Sequence, residues 1–554
     1  MRRRRFLAHG TVGAAAVFTA CQSARKAPIS SSTTGASIDE TSLTPQVGGT
    51  FQTVGFRALE HLNPWKVFMA NVDFYLLGVY EQLLAYDLKP FQDYRSTYKL
   101  VGALAESWEA PDSSTYLLHV RPNVRWHDGT PFTATDVQWS LQFMSDPANS
   151  IAAGDHFRSV DSMTLLDDHT LQIKTKQPQV AFLNGLTTAP KAVIMPKHVH
   201  DRGDQFEKVA IGTGAFKVTT YDQLKGISYT ASKDYWREGR PNLDGWRILA
   251  PTDEAGRLAA FTARQNDVLH VSSRRQVDTL LPLVKGARLW TFVRDIVDDF
   301  YMKLDKPPFN DKRIRQVVQM GIDRRELLKT LDAGDGLMNP PGINAVAQGW
   351  ALPQSELEKL PGWRNPKSQD IQEAKQLLSQ AGYGSGGLSF TVSVDQAHPT
   401  TPNQATVIAA QLRSIGITVN VQPLETTVYQ KNVTSGNYDA IIDQGGTSSP
   451  GNGVWQTRFH SGGFLNSMPV HDPEMDRLID AQAQEFDESK RKALFLEIER
   501  LLAREVYSIP LTADPGYFVG QPYVHGWVDN EGANVTCADW AQAWLDQAQA
   551  PKSR

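Results

Sequence analysis

One segment in the C-terminal third of the chain concentrates groups that could bind a polar molecule. Residues 443–455 read DQGGTSSPGNGVW, with a carboxylate at one end, an indole at the other, and glycine, hydroxyl and amide groups between them. Backbone donors beside glycines and a flat apolar face suit recognition of an uncharged solute. The expected ligand contacts in this segment are Asp443, Gln444, Gly445, Gly446, Thr447, Asn452 and Trp455. An ordinary surface loop is the alternative interpretation.

A second group of candidates follows the first predicted strand, Thr50 to Gly55. It includes His61 to Trp65, which resembles an LNP segment that borders the ligand cleft in the protein family named below. Its expected ligand contacts are Phe56, Arg57, Asn63 and Trp65. Arg57 could meet a ligand carboxylate, and Trp65 and Trp455 could hold a ligand between their rings. The alternatives are a solvated arginine and two core tryptophans. Further candidates for the binding site, or for a lid over it, are Phe300, Tyr301 and Trp350.

Known catalytic and cofactor motifs are absent from the sequence. It contains no HExxH zinc motif, no GxSxG nucleophile elbow and no GxxxxGK[ST] phosphate loop. The pair His198 and His200 has no acidic or cysteine partner at ligand spacing, so no metal site and no cofactor are predicted. The sequence therefore favours a binding protein over an enzyme. A secreted hydrolase is the alternative, and it would need a serine of the 443–455 segment activated by His460 or His471.

The 443–455 segment follows a predicted parallel sheet. Residues 388–394 and 417–421 alternate apolar and polar side chains as strands do, and a helical pattern over 404–415 separates them. A third strand is predicted at 438–442, after another helical stretch. Parallel strands joined by helices end at the same edge of a sheet, where ligands bind in such folds. The elements of this α/β region therefore place the 443–455 segment in a binding cleft.

Helix start signals occur at two further places. Thr133 with Asp136 forms a capping-box-like start to a helix that runs to about Met144, and Asp370 with Glu373 repeats the pattern. Near the C-terminus, an apolar stripe at helical spacing predicts a core-facing helix. Its members are Leu494, Phe495, Ile498, Leu501 and Leu502.

Composition excludes several classes of protein. The 554 residues are 41% apolar and 21% charged, which is typical of a globular protein of three or four domain-sized units. Two cysteines exclude a disulfide-rich scaffold. The net charge is −4, and without the first 21 residues it is −8, because 52 basic and 60 acidic residues remain. A mildly acidic chain is a poor candidate for binding nucleic acid.

Residues 1–21 resemble an export signal. Four arginines precede an uncharged run of small and apolar residues that is too short to span a bilayer. Cys21 resembles the lipidated cysteine of a bacterial lipoprotein, and a plain signal peptide with an incidental cysteine is the alternative. Residues 22–47 lack apolar periodicity, which predicts a flexible tether. The resemblance to a twin-arginine signal is carried by Arg3, Arg4, Phe6 and Leu7.

Six segments in a fixed order carry a more specific resemblance. The longest, at residues 104–144, reads LAESWEAPDSSTYLLHVRPNVRWHDGTPFTATDVQWSLQFM. The other five are Gly212 to Lys217, Asp234 to Asp244, Lys306 to Leu328, Ala374 to Tyr383 and Asp472 to Leu478. Over about residues 48–545 the chain resembles the family 5 extracellular solute-binding proteins, the peptide-, opine- and nickel-binding subunits of ABC importers.

The resemblance implies a two-lobed, periplasmic-binding-protein-like fold of type II, with an extra subdomain, mixed and parallel sheets, and a hinge between the lobes. Lobe I is expected to comprise residues 48–285 in two subdomains, together with a return of the chain over 506–545. Lobe II is expected to comprise residues 286–505, and residues 546–554 a tail. Closure of the lobes about the hinge would enclose the ligand.

The resemblance also implies a function. The protein is expected to be a lipid-anchored monomer in the periplasm or at the cell surface, where it captures a small-molecule or peptide ligand. It would then deliver this ligand to an ABC permease that is driven by ATPase subunits.

The 443–455 segment departs from the pattern of the peptide-binding members of that family. Those members usually carry an acidic residue in this loop, which pairs with the α-ammonium group of the peptide. Ser448 or Ser449 falls at that position here. Two hypotheses follow: the solute is an oligosaccharide or a modified peptide, or Asp443 replaces the acid from a shifted position.

Overall fold

The computed structural model describes most of the chain between residues 43 and 551. The predicted signal, the lipidation site at Cys21 and most of the tether lie outside the described residues. Within them, no helix combines the length and apolarity that a membrane span requires. The described residues are 43–55, 58–66, 75–87, 99–151, 154, 157–187, 192–271, 273–294, 297–345, 347, 349–398, 400–444, 455–463, 466–527 and 540–551.

The strands are numbered here in chain order. They are β1 (Thr50–Val54), β2 (Leu84–Tyr86), β3 (Leu100–Gly102), β4 (Ala105–Asp112), β5 (Thr115–Val120), β6 (Val160–Asp167), β7 (Thr170–Thr175), β8 (Phe216–Asp222), β9 (Gly226–Ala231), β10 (Gly245–Leu249), β11 (Val268–Val271), β12 (Arg288–Val293), β13 (Asp298–Met302), β14 (Leu337–Met338), β15 (Leu388–Asp395), β16 (Ile417–Leu424), β17 (Ala440–Gln444), β18 (Ser508–Pro510), β19 (Thr512–Ala513), β20 (Pro515–Gly520), β21 (Val524–His525) and β22 (Trp544–Leu545).

The helices are numbered in the same way. They are α1 (Ala134–Ser145), α2 (Phe182–Gly185), α3 (Lys197–Asp201), α4 (Glu254–Thr262), α5 (Arg274–Leu280), α6 (Lys312–Gly321), α7 (Arg324–Leu331), α8 (Gln354–Leu357), α9 (Ser368–Leu378), α10 (Thr401–Arg413), α11 (Thr426–Ser435), α12 (Pro473–Gln484) and α13 (Glu488–Glu505).

The N-terminal half contains two four-stranded sheets on one hydrophobic core. One sheet has the order β1-β10-β9-β8, with β1 parallel to β10, and the other is the antiparallel sheet β4-β5-β7-β6. In β5, Tyr116, Leu118 and Val120 are buried at every second position, as in a strand covered on one face. The same core includes Trp527 and Trp540 near the C-terminus, so distant parts of the chain pack together.

A smaller unit is attached to this core. The sheet β11-β20-β12 packs with α4 and α5 around its own apolar cluster, which includes Phe261, Val277 and Tyr517.

The other large unit is built on a mixed five-stranded sheet with the order β16-β15-β17-β13-β18. Strand β15 lies parallel to β16 and to β17, whereas β13 is antiparallel to β17 and β18. The predicted parallel sheet is therefore confirmed. Its last strand begins at Ala440, two residues later than predicted. Just before it, the Asp439 carboxylate accepts the backbone N–H of Thr391 at 3.1 Å.

The chain passes between these two units twice. The first crossing joins β12, which ends at Val293, to β13, which begins at Asp298. The second, residues 511–514, leads from β18 to β20. The N–H of Arg294 donates to the carbonyl of Asp514 at 3.0 Å, and the N–H of Leu511 donates to that of Asp298 at 2.8 Å. The two crossings therefore run side by side.

The two units also touch away from the crossings. The N–H of Val180 donates to the carbonyl of Ala483 in α12 at 2.9 Å. Tyr86, at the end of β2, lies in an apolar cluster that is otherwise formed in the C-terminal half, with Trp350 and Phe495 among its members. The units are thus in contact both at the crossings and at a second place.

Two of the six segments that carry the family resemblance, Gly212 to Lys217 and Asp234 to Asp244, meet at one buried carboxylate. Glu81 is 2% exposed and accepts hydrogen bonds from Thr213 at 2.9 Å, Tyr235 at 2.9 Å and the indole of Trp236 at 3.0 Å. Gly212, beside Thr213, is required by packing, since a Cβ there would lie 1.8 Å from the carbonyl oxygen of Val79. These segments hold the N-terminal unit together.

Of the two predicted helix starts, one is confirmed and one is wrong. Thr133 and Asp136 form the capping box of α1, and Asp136 accepts the N–H of Thr133 at 3.1 Å. Asp370 lies inside α9, which begins at Ser368, so it does not cap that helix. Its fully buried carboxylate instead accepts the N–H of Gly362 at 2.9 Å and pairs with basic residues that precede the helix. A tertiary ion-pair network replaces the local cap.

Candidate functional site

Acidic residues collect at the edge of the mixed sheet where its parallel strands end. Asp395 ends β15 and Asp443 lies next to the end of β17. Because β13 runs the other way, its first residues reach the same edge: Asp298 lies opposite Gln444, and Asp299 opposite Asp443. The two crossings leave the sheet at this edge too, so it lies at the junction of the two units.

Asp443 is paired with a cation of the protein. Arg458 Nη2 lies 3.2 Å from Asp443 Oδ2, and the guanidinium stacks 4.8 Å from the ring centroid of Tyr301. The side chains of Asp443 and Arg458 are 17% and 13% exposed. A carboxylate paired in this way has its charge balanced before any ligand arrives.

Asp299 is buried beside this pair. Its carboxylate accepts the hydroxyl of Tyr301 at 3.2 Å and that of Ser508 at 3.3 Å. Burial raises the pKa of Asp299 to about 7, and these hydrogen bonds and the charge of Arg458 oppose the rise. The edge of the sheet is therefore less negative near neutral pH than its number of aspartates implies.

Both candidate tryptophans belong to hydrophobic cores. Trp65 packs against Phe143 with 5.2 Å between ring centroids, and its indole N–H donates to the carbonyl of Val193 at 3.2 Å. Trp455 lies 4.3 Å from Phe495, and its indole N–H donates to the carbonyl of Gly342 at 2.8 Å. Their rings lie in separate apolar clusters. Both tryptophans are therefore core residues, which was the alternative interpretation of the sequence. Their contacts do not support a ligand held between the two rings.

Asn63 and Gln444 are placed only in part by the structure. The Asn63 side chain is buried and accepts the N–H of Trp65 at 3.0 Å, so it stabilises a local turn. Gln444 is the last residue of β17, and its side chain lies outside the description. The remaining predicted contacts lie outside the described residues: Phe56, Arg57, Gly445, Gly446, Thr447 and Asn452.

The other aromatic candidates are also packed. Phe300 and Tyr301 in β13 are buried in different clusters, on opposite faces of the sheet. Trp350 packs edge-on against Phe495, 4.9 Å between centroids. The described residues around Trp350 are hydrogen-bonded to α13, where Glu499 accepts the N–H of Leu352 at 2.5 Å.

The histidines considered for catalysis or metal binding have other partners. His460 Nε2 lies 3.6 Å from Asp480 in α12, and His198 Nε2 lies 2.9 Å from Asp128. The ring of His200 packs 5.0 Å from that of Trp139. The part of the chain that the structure describes contains no cluster of three or more potential metal ligands.

Sequence reasoning missed several residues of this sheet edge. Arg458 lies in a polar stretch without any distinguishing pattern, so nothing in the sequence pointed to it. Asp298 and Asp299 offered a signal, because two adjacent acids stand inside the otherwise apolar strand β13. Asp514 lies 215 residues after Asp299 in the sequence. Only the second crossing brings it close to these two aspartates in space.

Comparison with known proteins agrees with this architecture. The sequence profile described as "Bacterial extracellular solute-binding proteins, family 5 Middle" matches residues 99–464, more than half of the chain. The glutathione-binding protein GsiB of Escherichia coli (strain K12) is 28% identical over 330 residues, which are 59% of this chain and 62% of GsiB. The match thus spans less than two thirds of that relative.

Two solved structures share the fold. The ABC transporter substrate binding protein CtaP from Listeria monocytogenes superposes with a TM-score of 0.76 at 18% identity, covering 91% of this chain and 100% of CtaP. The oligopeptide-binding protein AppA from Bacillus subtilis, in complex with a nonapeptide, gives 0.71 at 20% identity, with 91% and 100% covered. The predicted α/β, two-lobed binding-protein fold is confirmed. The chain belongs to the family 5 bacterial extracellular solute-binding proteins.

Proposed function

We propose that this protein is the solute-binding subunit of an ABC importer. It captures a solute outside the cytoplasmic membrane, between the N-terminal unit (lobe I) and the C-terminal unit (lobe II), and delivers it unchanged to a permease with its ATPase subunits. The observation that carries the proposal is the arrangement of two separately packed lobes joined by two adjacent crossings, beside a polar sheet edge. Such an arrangement allows closure about a hinge.

The solute is a modified peptide or an uncharged molecule such as an oligosaccharide. A peptide with a free α-ammonium group needs an unpaired carboxylate in the cleft. Asp443, the candidate for that role, is already paired with Arg458 at 3.2 Å. To bind an ammonium group it would have to exchange one buried cation for another, which offers little gain in free energy.

The mature protein is a monomer held at the outer face of the membrane by lipid on Cys21. The support is the order of features at the N-terminus, where arginines, an apolar run and Cys21 precede the predicted tether. A Cys21→Ser variant should be exported through the twin-arginine route but recovered in the aqueous fraction, while the unchanged protein stays with membranes.

The test of the transport role is to identify the bound solute. Protein purified without denaturation is examined by native mass spectrometry, and we expect a bound mass that is released intact on unfolding. Titration calorimetry then compares that compound with a library of unmodified oligopeptides. Tight, general binding of the unmodified peptides would refute the proposed solute class, and chemical turnover of the compound would refute the transport role.

The Asp443→Asn/Arg458→Gln double variant is the matched control. It removes both charges and keeps a neutral polar group at each position. If the charges of Asp443 and Arg458 only neutralise each other, the variant retains its affinity for the solute within a few-fold. Complete loss of binding would show that one of the two charges contacts the solute directly.

A further inference from the structure

Two carboxyl groups meet where the two crossings run side by side. Asp298 is the first residue of β13, directly after the first crossing, and Asp514 ends the second crossing. The two residues are 3% and 6% exposed. The side-chain amide of Gln404, in α10, donates to Asp298 Oδ2 at 2.9 Å and to Asp514 Oδ2 at 3.4 Å. The two carboxyl groups are therefore held within reach of the same amide group, and each affects the ionisation of the other.

The surroundings of this pair are acidic overall. Arg294, in the first crossing, attracts both carboxylates, and the hydroxyl of Thr512 donates to Asp514 Oδ1 at 2.8 Å. The hydroxyl of Thr400, which also contacts His398, lies 3.4 Å from Asp298 Oδ2. The acidic groups that face the pair from the packed elements are Asp299 on β13, Asp443 on β17 and Asp332 after α7.

Burial raises the pKa of both members, and the neighbouring carboxylate adds to the rise at Asp514. Burial, followed by the charge of Asp298, raises the pKa of Asp514 to about 7. Burial also raises the pKa of Asp298, against the attraction of Arg294. Two buried carboxylates that share one amide donor cannot both ionise without strong repulsion, so the pair holds one proton below neutral pH and loses it above.

We propose that the proton shared by Asp298 and Asp514 fastens the two crossings to each other, and that its loss at higher pH drives the lobes apart. In the present arrangement the crossings are joined and the lobes touch at Val180 and Ala483. Two ionised carboxylates would repel across the crossings and disfavour this arrangement. One consequence, weaker retention of the solute as the pH rises, rests on the proposed transport role. The protonation of the pair does not depend on that role.

The experiment follows the proton and the lobe separation in the purified protein without added solute. Infrared difference spectra between pH about 5 and about 9 monitor the carbonyl band of protonated carboxylic acids, and X-ray scattering gives the radius of gyration. In the unchanged protein, we expect part of that band to disappear and the radius of gyration to rise over the same pH interval. The Asp514→Asn variant should lack that part of the band, and its radius of gyration should stay constant.

The control is Asp395→Asn, which removes another carboxylate from the same sheet edge without touching the pair. It should behave as the unchanged protein does. Circular dichroism establishes that each variant is folded, and Asp298→Asn replaces Asp514→Asn if the latter is not. The proposal is overturned if Asp514→Asn retains the full band, or if the radius of gyration of the unchanged protein does not change with pH. A pH-dependent radius in a protein that binds no solute would leave the switch standing and remove only the transport role.

Discussion

At the scale of single residues, a buried acidic group of this protein is either paired with a cation or kept protonated by a raised pKa. Arg458 pairs with Asp443, and Glu499 and Asp299 are buried carboxyl groups whose pKa is raised by loss of hydration. Removing one partner of a buried pair leaves an uncompensated charge, which is far more costly than the net worth of the pair. Single and paired substitutions therefore have opposite expected outcomes.

The first prediction concerns Arg458. Arg458→Met leaves the mostly buried carboxylate of Asp443 without its cation, so we expect a loss of about 3–5 kcal/mol in the free energy of unfolding. Most of that loss should be recovered in Asp443→Asn/Arg458→Met, which removes the stranded charge. Urea unfolding monitored by tryptophan fluorescence measures both.

The exposed pair formed by Arg202 and Asp204, at 3.0 Å, is the control. Arg202→Met should cost no more than about 1 kcal/mol, because exposed ion pairs contribute little. Equal costs for Arg458→Met and Arg202→Met would contradict the burial of the Asp443–Arg458 pair.

The second prediction concerns pH. Burial raises the pKa of Glu499 to about 8 in the folded protein, from its ordinary value of 4.5. Between these two values the folded state holds a proton that the unfolded state has released, so the contribution of Glu499 to stability falls as the pH rises. Glu499→Gln has no proton to lose. Relative to the unchanged protein it should gain on the order of 1–3 kcal/mol between pH about 5 and about 8.

Urea unfolding of both proteins at the two pH values measures this difference. Glu499→Ala, which also loses the acceptor for the N–H of Leu352, should be destabilised at both values. Parallel pH dependence of Glu499→Gln and the unchanged protein would show that Glu499 ionises normally in the folded state.

At the scale of elements, local patterns set the periodicity and tertiary contacts set the boundaries. The alternation in 388–394 and the apolar stripe of 494–502 correspond to β15 and α13, because burial of one face selects side chains at the period of the element. The cap expected at Asp370 failed, since the same carboxylate makes stronger contacts with Arg364 and Lys367. A short polar motif cannot reveal partners that the fold brings from elsewhere.

The third prediction tests how the family segments join the elements of lobe I. Gly212 lies beside a backbone carbonyl, and a Cβ there would come within 1.8 Å of the oxygen of Val79. The backbone must shift to accept Gly212→Ala, which would disturb the bond from Thr213 to Glu81 at 2.9 Å. We expect a loss of at least about 2 kcal/mol or failure to fold, measured by thermal unfolding. Gly462→Ala should cost far less, because its Cβ would meet only the ring of His460 at 3.4 Å.

At the scale of the whole molecule, two kinds of contact join the lobes. The crossings are covalent and run side by side, whereas the contact at Tyr86, Val180 and Ala483 consists of packing and one backbone hydrogen bond. Contacts of the second kind can open without unfolding either lobe, because each lobe retains its own core. They are therefore expected to set the balance between open and closed forms.

The fourth prediction follows from this balance. Tyr86 is 4% exposed, lies in the cluster of lobe II and accepts the amide of Asn184 at 2.8 Å through its hydroxyl. Tyr86→Ala removes this contact, so we expect a larger radius of gyration in solution without solute and faster solute release. The melting temperature of lobe II should change little. Tyr86→Phe keeps the ring and should resemble the unchanged protein, and an unaltered radius of gyration in Tyr86→Ala would exclude the contact as a determinant of closure.

The sequence by itself determined the α/β class, the parallel strands with their connecting helices, and membership of the family. The periodicity of apolar residues and the order of the family segments can both be read directly along the chain. It also placed Asp443 at the carboxyl end of the last parallel strand. Only the tertiary structure decided that Trp65 and Trp455 fill separate cores, that Asp443 is held by Arg458, and that Asp298 meets Asp514. Burial and charge pairing depend on which distant parts of the chain become neighbours in space. The spacing of residues along the sequence does not predict those neighbours.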